Sequence, residues 1–178
     1  HHDALTNLPN RTLFGDRLSH ALRKILRTDG KLSVFYLDLD GFKTINDSLG
    51  HDVGDILLQQ FAGRVSECLR DEDSVLAPDN IDQYKEGFLT QDLVARLGGD
   101  EFTVLLPQLK HATDASFVAQ RIIKSMDKPF FVNDHHFKIT TSIGITIYPD
   151  NGKKADELLK YADIAMYHAK SEGKNNFQ

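Results

Sequence analysis

Apolar positions along the chain fall into helical and strand spacings that alternate from one end to the other. Between residues 9 and 27, Leu13, Leu18, Leu22, Ile25 and Leu26 recur at helical spacing, with Pro9 suited to a first helical turn. Residues 32–37, LSVFYL, are a continuous apolar run rich in strand formers, which predicts a buried central strand. That run ends in Asp38, Leu39 and Asp40 before Gly41 breaks it, and the period of two places Asp38 and Asp40 on one face. A short helical segment follows, then a stronger helix over about 54–70 carried by Ile56, Leu57, Phe61, Val65 and Leu69. Strands are expected over 93–97 (LVARL) and 102–106 (FTVLL), joined by GGDE, and a helix over about 112–127. A second hairpin is expected from 130–133 and 136–147 with NDH at its turn, and a last helix over about 155–171 closed by Gly173.

Residues 71–90 break this regularity. They are acidic, contain Pro78 and Gly87 and show no sustained period, so they read as an inserted solvent-facing loop, with Ile81, Tyr84 and Phe88 available to dock it. No internal repeat is visible. The order of elements predicts an α+β fold, one domain over 1–178, with a mainly antiparallel central sheet flanked by helices.

Bulk properties narrow the function classes. The 178 residues, 40% hydrophobic and 26% charged, suit one soluble globular domain with a proper core. A net charge of −5 argues against a nucleic-acid polymer as partner, though not against a nucleotide held by a few local lysines. The single cysteine, Cys68, excludes an internal disulfide framework and suits the cytoplasm, and no apolar run reaches membrane-spanning length. The chain opens at HHDALT and stops at NNFQ, which reads as a domain cut from something longer, its parent free to be membrane-anchored.

The hexapeptide LGGDEF at 97–102 sets Asp100 and Glu101 side by side after Gly98 and Gly99. Taken alone it is an ordinary turn with solvated acids. The strand-end DLD changes that reading. If the hairpin pairs beside the central strand, both acid pairs lie at one edge of the sheet. Carboxylates brought within about 4 Å repel by on the order of 4 kcal/mol at an effective dielectric near 20, unless a cation sits between them. Oxygen ligands of this kind suit Mg²⁺ or Mn²⁺, and Mg²⁺ favours one or two carboxylates plus substrate phosphates. Other motifs fall away. DLDGFK begins like a calcium loop, but Phe42, Lys43 and Leu49 stand where an oxygen ligand, a glycine and the terminal glutamate belong. There is no GxxxxGK[ST], HExxH or GxSxG, and His135 and His136 are adjacent in a strand and poor joint ligands. Lys170 and Lys174 share one side if the helix persists through SEGK, where they are either surface charge or a phosphate clamp.

Taken together, DALTNLPNR, FYLDLDGFKTINDSLGHDVGD, LVARLGGDEF, TSIGITIYP and ADIAMYHAKSEGKNN resemble the hallmarks of the GGDEF domain, the diguanylate cyclase family, in that family's order. The resemblance implies a fold like the nucleotidyl cyclase and polymerase palm, with a ferredoxin-like core. It implies that two GTP molecules, one on each of two domains in a transient antiparallel homodimer, condense to cyclic di-GMP with release of pyrophosphate. It further implies Asp38, Asp100 and the Leu39 carbonyl as metal ligands, with Asp100 also at the position of the general base and Glu101 beside it in the catalytic pair. Gly41, Phe42 and Lys43 would hold phosphates, Asn46 and Asp55 would read guanine, and His51 lies in the same stretch. Gly98 and Gly99 would leave room for the nucleotide, and Lys170 and Lys174 would bind phosphate, Lys174 standing where arginine is commoner.

The same family carries an Arg-x-x-Asp product-inhibition site, whose positions here are Leu89, Thr90, Gln91 and Asp92, with Arg121 as a secondary contact. The missing arginine predicts weak product inhibition. Two other functions compete with the enzyme: a catalytically silent GTP-binding module that regulates a neighbouring EAL phosphodiesterase domain, to which GKNNFQ resembles the junction, and a dimerising scaffold that uses neither metal nor nucleotide. The intact acid and guanine-contact positions argue against the scaffold.

Overall fold

Alternation along one strand divides the hydrophobic core in two. In the computed structural model, which describes residues 1–70 and 91–178, strand β1 (Lys31–Leu39) is the centre of the sheet. Its odd-numbered Phe35, Leu37 and Leu39 join one core cluster, and its even-numbered Leu32, Val34 and Tyr36 join the other. Both faces are therefore covered, which is why the sequence there is almost wholly apolar, the one polar residue, Ser33, being buried with its hydroxyl donating to the Thr146 carbonyl at 2.9 Å. The anticipated insertion at 71–90 lies outside the described residues.

Helix α1 (Arg11–Ile25) precedes β1, and helices α2 (Phe42–Leu49) and α3 (His51–Arg70) follow it. Strands β2 (Leu93–Gly98) and β3 (Glu101–Leu109) form the hairpin, followed by helix α4 (Thr113–Ser125). The chain then runs through β4 (Phe130–Val132), β5 (His135–Phe137), β6 (Thr141–Tyr148) and helix α5 (Ala155–Ser171). The main sheet has the order β2-β3-β1-β6 and is antiparallel throughout. The α+β expectation holds.

One face of the sheet carries α1 and α5, through Phe14, Leu18, Leu22, Leu158, Ala162 and Met166. The other carries α3, α4 and β4, through Leu57, Phe61, Val65, Ala119, Ile122 and Phe130. Gly144 on β6 sets the distance between sheet and helix. A Cβ there would collide with the Ala162 carbonyl and the Met166 amide, so α5 lies flush on the strand only because that position has no side chain.

Three expectations are corrected. Pro9 is not in the first turn of α1. Asn10 is the N-cap, its side chain accepting from the Leu13 amide at 3.0 Å, and the Pro9 carbonyl instead accepts from the Arg96 amide at 3.1 Å. The strand expected over 136–147 is two strands: β5 pairs with β4 in a separate two-stranded sheet, while β6 pairs with β1. One strand cannot follow both partners, and the chain breaks at 138–140, where the Thr140 carbonyl accepts the Asp40 amide at 2.9 Å. Finally, α5 does not persist through SEGK. Gly173 (φ 109°) and Lys174 (φ 65°) are left-handed, and their amides close on the Lys170 and Ala169 carbonyls at 3.3 and 3.1 Å.

Candidate active site

Parity along β1 puts Asp38 on the same face as Tyr36, towards α5, and β1–β3 pairing sets Glu101 directly opposite Asp38. The last turn of α5 supplies Lys170. Its Nζ lies 3.0 Å from an Asp38 carboxylate oxygen and 3.8 Å from one of Asp40. The two acids of DLD thus share one cation, as their period-two spacing required. They differ in every other respect. Asp40 is saturated: Thr140 Oγ1 and Ser142 Oγ each donate to it at 2.7 Å, and the Asn175 amide donates at 3.1 Å. Asp38 Oδ1 is buried and has no hydrogen-bond partner among the described residues. Burial pushes the Asp38 carboxyl well above the usual carboxylate range, and the neighbouring Asp100 carboxyl adds to this as hydrogen-bond partner and like charge. Lys170 pulls the other way without cancelling the rise.

Asp100 reaches Asp38 from the tip of the β2–β3 hairpin. The tip turns through Gly98 (φ 145°) and Gly99 (φ 51°), conformations that L side chains adopt only with strain, and a Cβ at either would meet nothing within 4 Å. The glycines therefore serve the turn and also leave the space before it open. Arg96 Nε donates to the Gly99 carbonyl at 3.0 Å, which fixes the turn from below. Glu101 points away from the acid pair: Tyr36 Oη donates to its Oε2 at 3.0 Å. Burial raises the Tyr36 hydroxyl far above the tyrosine range, and Glu101 raises it further, so Tyr36 stays a proton donor. Of the two hairpin acids it is Asp100 that faces Asp38.

The segment after β1 forms the adjoining wall. Gly41 (φ 76°) turns the chain from strand into α2. Phe42 is buried in the core and Leu39 likewise, so only their backbone can serve a ligand, whereas Lys43 is exposed. Asn46 on α2 packs against the first turn of α3. A Cβ at Gly54 would overlap Asn46 Oδ1, and that oxygen is buried without a hydrogen-bond partner among the described residues. Asp55, the next residue, is exposed beside it, and so is His51 at the start of α3. Lys174 lies beyond the end of α5, so its link to Lys170 runs through the turn rather than along a helix face.

The Arg121 charge, on α4, acts on Asp92. Asp92 precedes β2 and is surface-exposed, yet the surrounding protein pushes its carboxyl up to about 6, with the Arg121 charge opposing. Leu89 lies outside the described residues. Four contributors to the candidate site were not singled out from sequence. Asp3 and Arg96 lay inside segments read as family hallmarks, DALTNLPNR and LVARLGGDEF, without a role. Tyr36 read as a core strand residue, and Gly54 gave no signal because its partner is on another helix.

Among the described residues, no group of three or more His, Cys, Asp or Glu is arranged to hold a metal. What is present is a pair of carboxylates, one with a buried unpartnered oxygen, at a strand end next to exposed backbone. That donor set fits Mg²⁺, which takes one or two carboxylates and completes its shell with water and phosphate oxygens.

The profile of the family described as "Diguanylate cyclase, GGDEF domain" matches residues 1–79 and 82–176. The chain belongs to the GGDEF domain family. It is 41% identical over 176 residues to the bifunctional diguanylate cyclase/cyclic di-GMP phosphodiesterase MucR of Pseudomonas aeruginosa, covering 99% of this chain and 23% of that protein. It is 42% identical over 177 residues to the diguanylate cyclase TpbB of the same species, covering 99% of this chain and 36% of that one. The chain thus spans about a quarter to a third of these relatives. The solved GGDEF domain of TpbB superimposes with a TM-score of 0.85 at 41% identity, covering 99% of this chain and 92% of that one. The palm-like cyclase fold implied by the sequence is therefore the fold of this chain. Among the described residues, no helix is long and apolar enough to cross a membrane.

Proposed function

We propose that the domain is a diguanylate cyclase, condensing two GTP molecules into cyclic di-GMP with release of two pyrophosphates. The observation that carries this is Asp38: a half-buried carboxylate whose buried Oδ1 has no hydrogen-bond partner among the described residues, facing Asp100 and held by Lys170. Asp38, Asp100 and the Leu39 carbonyl would hold Mg²⁺ or Mn²⁺, which supplies Lewis-acid stabilisation of phosphate charge when bound. Asp100 accepts the proton of the attacking 3′-hydroxyl. The new 3′-oxygen to α-phosphorus bond forms as the bond to pyrophosphate breaks, and the step occurs twice per product. Lys43, Lys170 and Lys174, with the Gly41–Phe42 backbone, neutralise the triphosphate. Gly98 and Gly99 leave the approach open. Asn46 and Asp55 read guanine: a carboxylate accepts its N1–H and N2–H, donors that adenine lacks, and the orphaned Asn46 oxygen gains a partner. One domain carries half of the reacting atoms, so turnover takes place in a symmetric homodimer, in keeping with the family.

A second reading has its own support. A further relative of Pseudomonas aeruginosa, 37% identical over 177 residues, is named for its phosphodiesterase alone, the cyclic di-GMP phosphodiesterase NbdA, so this domain can instead be a GTP-binding regulator of an adjacent phosphodiesterase. Incubation with GTP and Mg²⁺ followed by chromatography separates the two. Cyclic di-GMP and pyrophosphate appearing together support the cyclase, and GTP bound but unchanged supports the regulator.

A further inference from the structure

We propose that the C-terminal segment Asn175–Gln178, acting through Asp40, is a strap that positions Lys170. After α5 the left-handed residues Lys174 and Asn175 (φ 65° and 49°) turn the chain back towards the sheet. The segment then lies along the free edge of β6, where Phe177 and Ile143 form an isolated parallel bridge. The Ile143 amide donates to the Asn176 carbonyl at 3.0 Å, Gln178 donates to Ile143 at 3.0 Å, and Ile145 donates to Gln178 at 2.9 Å. Asn176 Nδ2 pins the turn by donating to the Ala169 and Lys174 carbonyls at 2.8 and 2.7 Å. These bonds fix the Asn175 amide, which donates to Asp40 Oδ2 at 3.1 Å.

Asp40 is thereby given a definite task. With its side chain 5% exposed and three donors on its two oxygens, it has little capacity left for a metal. It remains a fixed negative charge 3.8 Å from Lys170 Nζ. A lysine side chain loses considerable rotamer freedom when held in one place, and its ammonium otherwise prefers water. Asp40 and the strap offset that tendency, keeping the charge over Asp38, where a triphosphate would pass. Asn175, Asn176 and Asp40 are positioning residues in this scheme.

Passage of a triphosphate beneath Lys170 rests on the GTP reading, but the strap itself does not, so two experiments are paired. The first needs no nucleotide: the acylation rate of the Lys170 amine in the intact domain, followed by mass spectrometry. Asn176→Ala should raise that rate several-fold with melting temperature nearly unchanged, and Asp40→Asn and a chain ending at Asn175, which also loses the core-packed Phe177, should raise it with some loss of stability. Should the buried Asp40→Asn change prevent folding, Asn176→Ala carries the test. An unchanged Lys170 rate in Asn176→Ala and the shortened chain overturns the strap. The second is calorimetry with GTP and with guanosine, each with Mg²⁺. Loss of one charge-assisted contact should weaken GTP about tenfold and leave guanosine unaffected. Equal weakening of both would overturn the positioning role. A parental domain that binds neither ligand while the acylation result holds would refute the GTP reading and leave the strap standing.

Discussion

Arg96 holds Asp3 across 93 residues of chain, its Nη1 lying 2.9 and 3.1 Å from the two carboxylate oxygens, while its Nε holds the Gly99 carbonyl. One guanidinium thus ties the N-terminal turn to the hairpin that carries Asp100. The fork geometry suits arginine and not lysine. Arg96→Lys should therefore lower GTP turnover several-fold, and Arg96→Ala should also lower stability by about 1–3 kcal/mol, read by denaturant titration.

Asp3 also has a pH signature. Burial alone would raise its carboxyl, but hydrogen bonds from the Thr6 side chain and amide, together with Arg96, hold it below its ordinary 3.8. A carboxyl depressed in the folded state stabilises the fold above that ordinary value and stops doing so as pH falls through the folded value. Melting curves of the parent should therefore drop more steeply below about pH 4 than those of Asp3→Asn. Parallel curves would show that the turn does not depend on the ionised acid.

Asp100→Ala should abolish cyclic di-GMP formation while leaving the melting temperature within a few degrees. The residue sits at a turn and supports no core, and its removal relieves the repulsion at Asp38. Retained activity at the parental rate would remove Asp100 from the mechanism.

Guanine preference should depend on a residue that touches no ligand. Gly54→Ala drives a methyl into Asn46 Oδ1 and pushes that side chain off α3. Both Gly54→Ala and Asp55→Ala should narrow the preference for GTP over ATP, in proportion to lost hydrogen bonds of about 1–3 kcal/mol each. Competition binding with the two nucleotides measures it, and an unaltered ratio would place base recognition elsewhere.

Product inhibition should be weak. The Arg121 charge acts on Asp92, but Leu89 stands where the principal arginine of the family's inhibitory site belongs. Cyclic di-GMP should bind poorly in calorimetry, and Leu89→Arg should strengthen it. Tight binding by the parent that disappears in Asp92→Ala would contradict this.

Local pattern was enough for much of this protein. A short, nearly continuous apolar run rich in strand formers fits a strand covered on both faces, and LSVFYL is the central strand of a two-layered core. The period of two put Asp38 and Asp40 on one side, and both meet Lys170. These conclusions needed only bond geometry and the cost of exposing apolar surface, which act over a few residues. The places where the reading failed are those where a distant partner decides. The strand over 136–147 carries no internal mark of its division, because β5 follows β4 and β6 follows β1. The end of α5 depends on a tail that returns to the sheet.

Sequence by itself determined the antiparallel α+β frame, the acids at a strand end and a hairpin tip, and membership of the family through five spaced segments. Resemblance singled out Asp38 and Asp100 as metal carboxylates, but residue type alone gave no physical difference among the acids, since ionisation and pairing are set by burial and by neighbours remote in sequence. Only the tertiary structure showed how their surroundings differ. Asp38 is left with an unpartnered oxygen, Asp40 is saturated by donors from β6 and the tail, Asp100 faces Asp38, and Glu101 is turned aside by Tyr36.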